Sequence, residues 1–196
     1  MSDEIVFYTN PKSRGRIAHW MLEEAGAPYR KVTLDYGAQM HDPAYLAINP
    51  MGKVPAIVHR GQVVTECAAI CAYLADAFPQ AGLAPAPARR AAYYRWLFFA
   101  AGPLEAAVTN KALGVEVPGD KSAFVGYGDG LDRVLDTLET ALGEGHVAGP
   151  DFSAADVYVG SQIGWGMMFG TIPRRPAFVG YWDRIKDRPA LGRVEA

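Results

Sequence analysis

Residues 49–71 read NPMGKVPAIVHRGQVVTECAAIC, and this stretch decides the fold. Val54 to His59 is an apolar run opened by a proline, Arg60-Gly61 is a turn pair, and Gln62 to Val64 returns, which predicts a β-hairpin. Pro55 cannot donate to a ladder, so it belongs at the start of a strand, and an X-Pro bond is the kind that adopts cis. A cis Val54-Pro55 bond leaves the amide and carbonyl of Val54 facing outward, where an extended peptide can pair with them. Thr65 is expected to cap the helix that follows, with Ala69, Ile70, Tyr73, Leu74 and Ala77 as its buried face. The first amides of that helix, at Thr65-Glu66-Cys67, together with its dipole, make a site for a carboxylate.

Upstream, Ile5 to Thr9 is a strand ended by Asn10-Pro11. Ile17, Met21, Leu22 and Ala25 then recur at helical spacing, with Ser13 as start signal and Gly26 and Pro28 closing the segment. Tyr29 to Leu34 alternates as a strand does, so strand, helix and strand form a crossover unit with parallel strands. The opening of the first helix, Pro11-Lys12-Ser13-Arg14, is where a thiolate is stabilised. Downstream, Pro79 to Ala88 has a linker's composition, and beyond it the pattern is helical. Tyr93 to Phe99 is aromatic-rich, and Leu131, Leu135, Leu138 and Leu142 share a face. Phe152 to Val157 reads as a capping box, Ser153 with Asp156, inside a hydrophobic staple. A short helix, Pro176 to Lys186, is expected to turn Phe178, Trp182 and Ile185 inward. The expectation is an α+β fold: an N-terminal domain over 1–80, a linker over 81–88 and an all-α domain over 89–196.

The 196 residues are half hydrophobic and one-fifth charged with a net charge of −2. That balance builds a core and carries no basic footprint for nucleic acid or an anionic membrane. Met1 to Glu4 is polar and runs into a strand without a secretory pattern, so a cytoplasmic location is expected. Cys67 and Cys71 lie four apart in a helical pattern and read as reduced thiols. His19, His41, His59 and His146 show no ligand spacing, so no metal is expected.

Four pieces in this order resemble the bacterial branch of the glutathione S-transferase family. They are the Ser13-Arg14-Gly15-Arg16 helix start, Asn49 to Pro55, Glu66-Cys67-Ala68-Ala69-Ile70, and the Ser153 to Asp156 box. The resemblance covers nearly the whole chain. It implies a thioredoxin-like βαβαββα domain followed by a helical-bundle domain, a homodimer, and glutathione as co-substrate without a metal. It further implies a cysteinyl backbone paired with Val54 beside Pro55 and a γ-glutamyl carboxylate held by Glu66 and Cys67. Lys53 and Arg14 are candidates for further contacts to the anionic peptide, as is Arg16. Family members commonly carry Ser where this chain has Cys67. A thiol is a weaker donor than a hydroxyl, so weaker glutathione binding is expected.

The implied activity is thiol activation for attack on a small hydrophobic electrophile, in the service of detoxification. Ser13 is the candidate catalytic residue, worth about 1 to 2 pKa units from a hydrogen bond to charged sulfur. Tyr8, Asn10 and Lys12 are its rivals. Tyr93, Trp96, Phe99 and Trp165 are candidates for the electrophile pocket. Glutathione-dependent reduction of disulfides or peroxides, and a non-catalytic binding module, are the alternatives.

Overall fold

The computed structural model describes residues 3–195. Met1, Ser2 and Ala196 lie outside the described residues, and with them the first half of the polar start. Two compact units divide the described chain, one of residues 3–84 with 188–195 and one of Pro85–Asp187.

In the first unit, β1 (Ile5–Thr9) pairs in parallel with β2 (Tyr29–Thr33), and antiparallel with β3 (Ala56–His59), which pairs with β4 (Gln62–Thr65). The sheet order is β2-β1-β3-β4. Ile5 and Phe7 are buried while Val6 and Tyr8 are partly open, the period of two that a half-covered strand requires. Asn10 ends β1. Its side-chain amide donates to Leu34 O at 2.8 Å and its Oδ1 accepts from Lys12 N at 2.9 Å, which starts the turn. The chain then enters α1 (Gly15–Ala25), which buries Ile17, Ala18, Trp20, Met21, Leu22 and Ala25. Gly26 closes α1 with φ 60°. Gly15 has no alternative: a Cβ there would stand 2.0 Å from Thr9 Oγ1.

Between β2 and β3 lies a short helix, α2 (Pro43–Leu46), capped by Asp42. After β4 comes α3 (Cys67–Ala77), packed against α1. Its buried residues are Cys67, Ile70, Cys71, Leu74 and Ala75, whereas Ala69 is exposed and Tyr73 and Ala77 only half-buried. The expected face is thus rotated toward the two cysteines, both free thiols. Thr65 is no cap. It ends β4 opposite Ala56, and Glu66 occupies the cap position.

The last helix, α9 (Pro189–Glu195), belongs to this first unit, although the sequence pattern assigns everything from 89 onward to the helical domain. The reason is electrostatic as well as apolar. Arg188 donates to both oxygens of Glu24 at 2.6 and 2.7 Å, Arg193 pairs with Glu23, and Ala190 is buried.

The second unit is helical. α4 (Ala91–Phe99) runs through a π-helical turn (Ala100–Leu104) into α5 (Glu105–Ala112), and α6 (Leu131–Glu139), α7 (Ala154–Phe169) and α8 (Pro176–Ile185) follow. α7 packs against α4 and α8 and is buried on almost every side. Gly160 and Gly164 permit this, since a Cβ would meet Ile185 Cδ1 at 2.3 Å or the Trp182 ring at 2.9 Å. Leu131, Leu135, Leu138 and Leu142 are all buried. The box at the head of α7 is present: Asp156, fully buried, accepts from Ser153 N and Oγ, each at 2.9 Å. It also accepts from Val147 N at 2.8 Å and Tyr181 OH at 2.7 Å, so one carboxylate joins the preceding loop, α7 and α8. On α8 it is Tyr181 that is fully buried with Phe178 and Ile185, and Trp182 is half-buried on Gly164.

Candidate functional site

The register of the sheet sets the site. Ala56 lies opposite both Tyr8 and Thr65, so Val54, two residues earlier, sits at the end of the sheet where β1 gives way to α1 and β4 gives way to α3. Val54-Pro55 is cis. Neither backbone group of Val54 enters a hydrogen bond among the described residues. The preceding residue is held firmly instead: Tyr45 OH and Asn49 Nδ2 both donate to Lys53 O, the latter at 2.8 Å. Burial, with the Asn49 contact opposing it, pushes the Tyr45 phenol up to about 12, so it remains a donor at neutral pH.

The two helix openings meet at this end. Cys67 Sγ donates to Arg14 O at 3.5 Å, and Cys67 is 8% exposed. The side chain at position 67 therefore faces α1. Glu66 is exposed and holds φ 63°, ψ 115°, a region non-glycine residues avoid at a cost of about 1–3 kcal/mol. Its side chain makes no cap bond, so the strain serves no visible purpose in starting the helix.

Ser13 is half-buried at the turn into α1. Its hydroxyl donates to Asn10 O at 2.7 Å and accepts from Gly15 N at 2.9 Å. Contact with a sulfur anion requires the hydrogen to leave the Asn10 carbonyl. Among its rivals, Asn10 is buried with both ends of its amide engaged, and Tyr8 packs its ring 5.4 Å from that of Tyr45. Lys12 is exposed, and its carbonyl accepts from Tyr36 OH at 3.2 Å. Arg14 and Lys53 are exposed and Arg16 is half-buried.

Three contributors were not visible as such in the sequence. Tyr45 and Asn49 clamp Lys53 O, and the His41 ring lies against Gly52, where a Cβ would be 3.3 Å from Nε2. Gly52 adopts φ 58°, and the glycine itself is the one mark in the sequence of so close a backbone approach. Of the four aromatic residues proposed for an electrophile, Tyr93 and Trp96 are buried at 1% and 5% exposure and belong to the core. Phe99 and Trp165 keep an open face. Among the described residues no group of three or more His, Cys, Asp or Glu side chains is placed to hold a metal ion, and no helix is long and apolar enough to cross a membrane.

Residues 4–76 match the family model for the glutathione S-transferase N-terminal domain. The chain is 32% identical over 160 residues to glutathione S-transferase GST-4.5 of Xanthomonas campestris, covering 79% of this chain and 76% of that one. It is 30% identical over 208 residues to the disulfide-bond oxidoreductase YfcG of Escherichia coli, covering 97% and 94%. A sphingomonad glutathione S-transferase solved in complex with glutathione superposes with a TM-score of 0.76 at 30% identity, covering 96% of each chain.

Proposed function

The chain belongs to the glutathione S-transferase family, and from that membership we propose that it activates the thiol of glutathione for attack on a small hydrophobic electrophile. One observation supports this most: the unpaired backbone of Val54, the strained Glu66 and the openings of α1 and α3 converge at one end of one sheet. An extended tripeptide finds there a strand-like partner in Val54, helix amides for its γ-glutamyl carboxylate at Glu66-Cys67, and cations in Lys53 and Arg14. Its sulfur is directed at the start of α1.

A free thiol titrates near 8.5, so the site must favour the anion. Ser13 supplies a donor and the α1 dipole adds in the same direction. The thiolate sulfur then forms a bond to an electrophilic carbon as the leaving group departs with its electron pair, giving a thioether and a free anion. Phe99 and Trp165 of the helical unit supply apolar surface for that substrate. As the family resemblance implies, the protein works in the cytoplasm as a homodimer, which sedimentation tests.

Calorimetric titration with reduced glutathione, followed by ultraviolet difference absorption across pH, tests the reading. Micromolar to low millimolar binding and a thiolate midpoint below that of free glutathione are expected. Absence of binding at millimolar concentration would falsify it, and binding without thiol activation leaves a non-catalytic module.

A second reading is favoured by the 30% identity, across nearly the whole chain, to a disulfide-bond oxidoreductase. In it the same thiolate attacks a disulfide, releasing one thiolate and forming a mixed disulfide. A second glutathione then releases the other half and leaves oxidised glutathione. Faster turnover of hydroxyethyl disulfide than of chlorodinitrobenzene selects this reading.

A further inference from the structure

Within α7 almost every position from Ala154 to Met167 is buried, and the exceptions are Gln162 and Trp165. The two lie three apart on one face of the helix, and Tyr158 and Phe169 extend the same stripe at either end. Exposure climbs along it, from 2% at Tyr158 to 74% at Phe169. At its inner end the stripe is polar. Tyr158 OH donates to Glu105 Oε2 at 2.9 Å, and Gln162 Nε2 donates to the same oxygen at 3.4 Å.

Glu105 is the first residue of α5, directly after the π-helical turn that carries Pro103. A turn of that kind widens the helix and changes which face the following segment presents, and such turns recur at functional sites. Here it is followed by a half-buried carboxylate beside the one open stripe of α7, with the small, exposed Ala101 and Gly102 and the half-exposed Phe99 just upstream. A carboxylate accepts only, and its two oxygens together take up to about four donors. The site thus combines flat apolar surface at Trp165 and Phe169 with a carboxylate acceptor at its inner end.

Resting on the reading that the helical unit holds the second substrate, we propose that Glu105, positioned by Tyr158 and Gln162, selects aromatic substrates that carry a neutral hydrogen-bond donor, a hydroxyl or an amide N–H. The aromatic body lies along Trp165, and the donor reaches the Glu105 carboxylate. An isostere with that donor methylated leaves the carboxylate without its new partner and adds a methyl group against it. Discrimination of this sort is stronger than a hydrophobic wall alone provides.

Ligand-observed NMR titration of the full-length protein with naphthylmethanol and with its methyl ether tests the proposal. The alcohol is expected to bind about five- to tenfold tighter, the worth of one charge-assisted hydrogen bond at a half-exposed site. Glu105→Gln cuts the preference to about two- to threefold, because a neutral acceptor is roughly half as strong. Glu105→Asp, which keeps the charge but withdraws it by one methylene, also shrinks the preference. Equal affinity of the parent for both ligands, no binding of either, or a preference untouched by both substitutions overturns the proposal. Glutathione titrated into the same samples separates the two readings: its binding fails with the proposed activity and is indifferent to Glu105.

Discussion

On the proposed reading, Ser13→Ala isolates the one side-chain hydrogen bond offered to the glutathione sulfur. Judged from residue type alone, a hydroxyl donating to a thiolate is worth about 1.5–3 kcal/mol, or 1 to 2 pKa units. The structure halves that figure, because the Ser13 hydroxyl already donates to Asn10 O at 2.7 Å. Turning to the sulfur gives up a neutral bond of about 1 kcal/mol to gain the charged one. The net is near 1 kcal/mol, about half to one pKa unit at 1.36 kcal/mol per unit. The α1 dipole is unaffected by the substitution, so part of the activation survives.

The assay is ultraviolet difference absorption of bound glutathione across pH, for the parent, Ser13→Ala and Ser13→Thr. The Ala variant is expected to raise the thiolate midpoint by about half to one unit, and Thr to restore it. Where the midpoint lies above the working pH, the thiolate fraction and the rate at saturating glutathione drop about three- to tenfold. Losing the bonds to Asn10 O and Gly15 N also destabilises the start of α1 by about 1 kcal/mol, so unfolding is followed in parallel. No shift in midpoint removes Ser13 from the mechanism. A shift of two units or more refutes the competition with Asn10.

Glu66→Gly is expected to be more stable than Glu66→Ala by about 1 kcal/mol in urea unfolding, since glycine alone adopts φ 63° without strain, and equal stabilities count against that strain. Arg188→Ala leaves Glu24, whose side chain is 6% exposed, with Trp20 Nε1 as its remaining donor among the described residues, and costs about 3 kcal/mol by the same measurement. A loss under 1 kcal/mol means that α9 is held by its apolar contacts instead. Burial, aided by Arg60 and opposed by Asp3, holds His59 below its ordinary value of 6.5. The unfolded chain therefore takes up the proton more readily, so the contribution of His59 to stability is complete above pH 6.5 and is lost as pH falls through its folded value. NMR titration of the ring checks this, and a midpoint above 6.5 makes Asp3, 3.8 Å from Nε2, the stronger influence.

What the sequence made legible was whatever local chemistry decides. β1 and the hairpin follow from alternation and a turn pair, the end of α1 from a glycine, and the head of α7 from a capping box. The misreadings arise where distant residues decide. Thr65 has the composition of a cap, yet its register opposite Ala56 keeps it in β4 and moves the cap to Glu66. Arg188 and Arg193 lie in the stretch that the sequence pattern assigns to the helical domain, and only the acids at Glu23 and Glu24, some 160 residues away, bring α9 back to the first unit. The same holds at the site. Pro55 marked the cis bond in advance, whereas Tyr45 and Asn49 have no periodicity or motif to mark that they clamp Lys53 O.

Position 67 shows how residue chemistry and placement combine. A thiol donates more weakly than a hydroxyl, and from that fact alone a cysteine here weakens the grip on a carboxylate. The structure turns the Sγ toward Arg14 O and buries it, so the side chain spends its donor on joining α3 to α1. On the proposed reading the carboxylate then depends on backbone amides at the head of α3, which any residue at 67 supplies equally. A weak donor is sufficient for a contact that geometry already enforces, and the small buried thiol fits where the two helix openings close on each other. The exchange of oxygen for sulfur therefore bears first on how firmly α1 and α3 are joined, and reaches the ligand only through the position of Ser13 and Arg14.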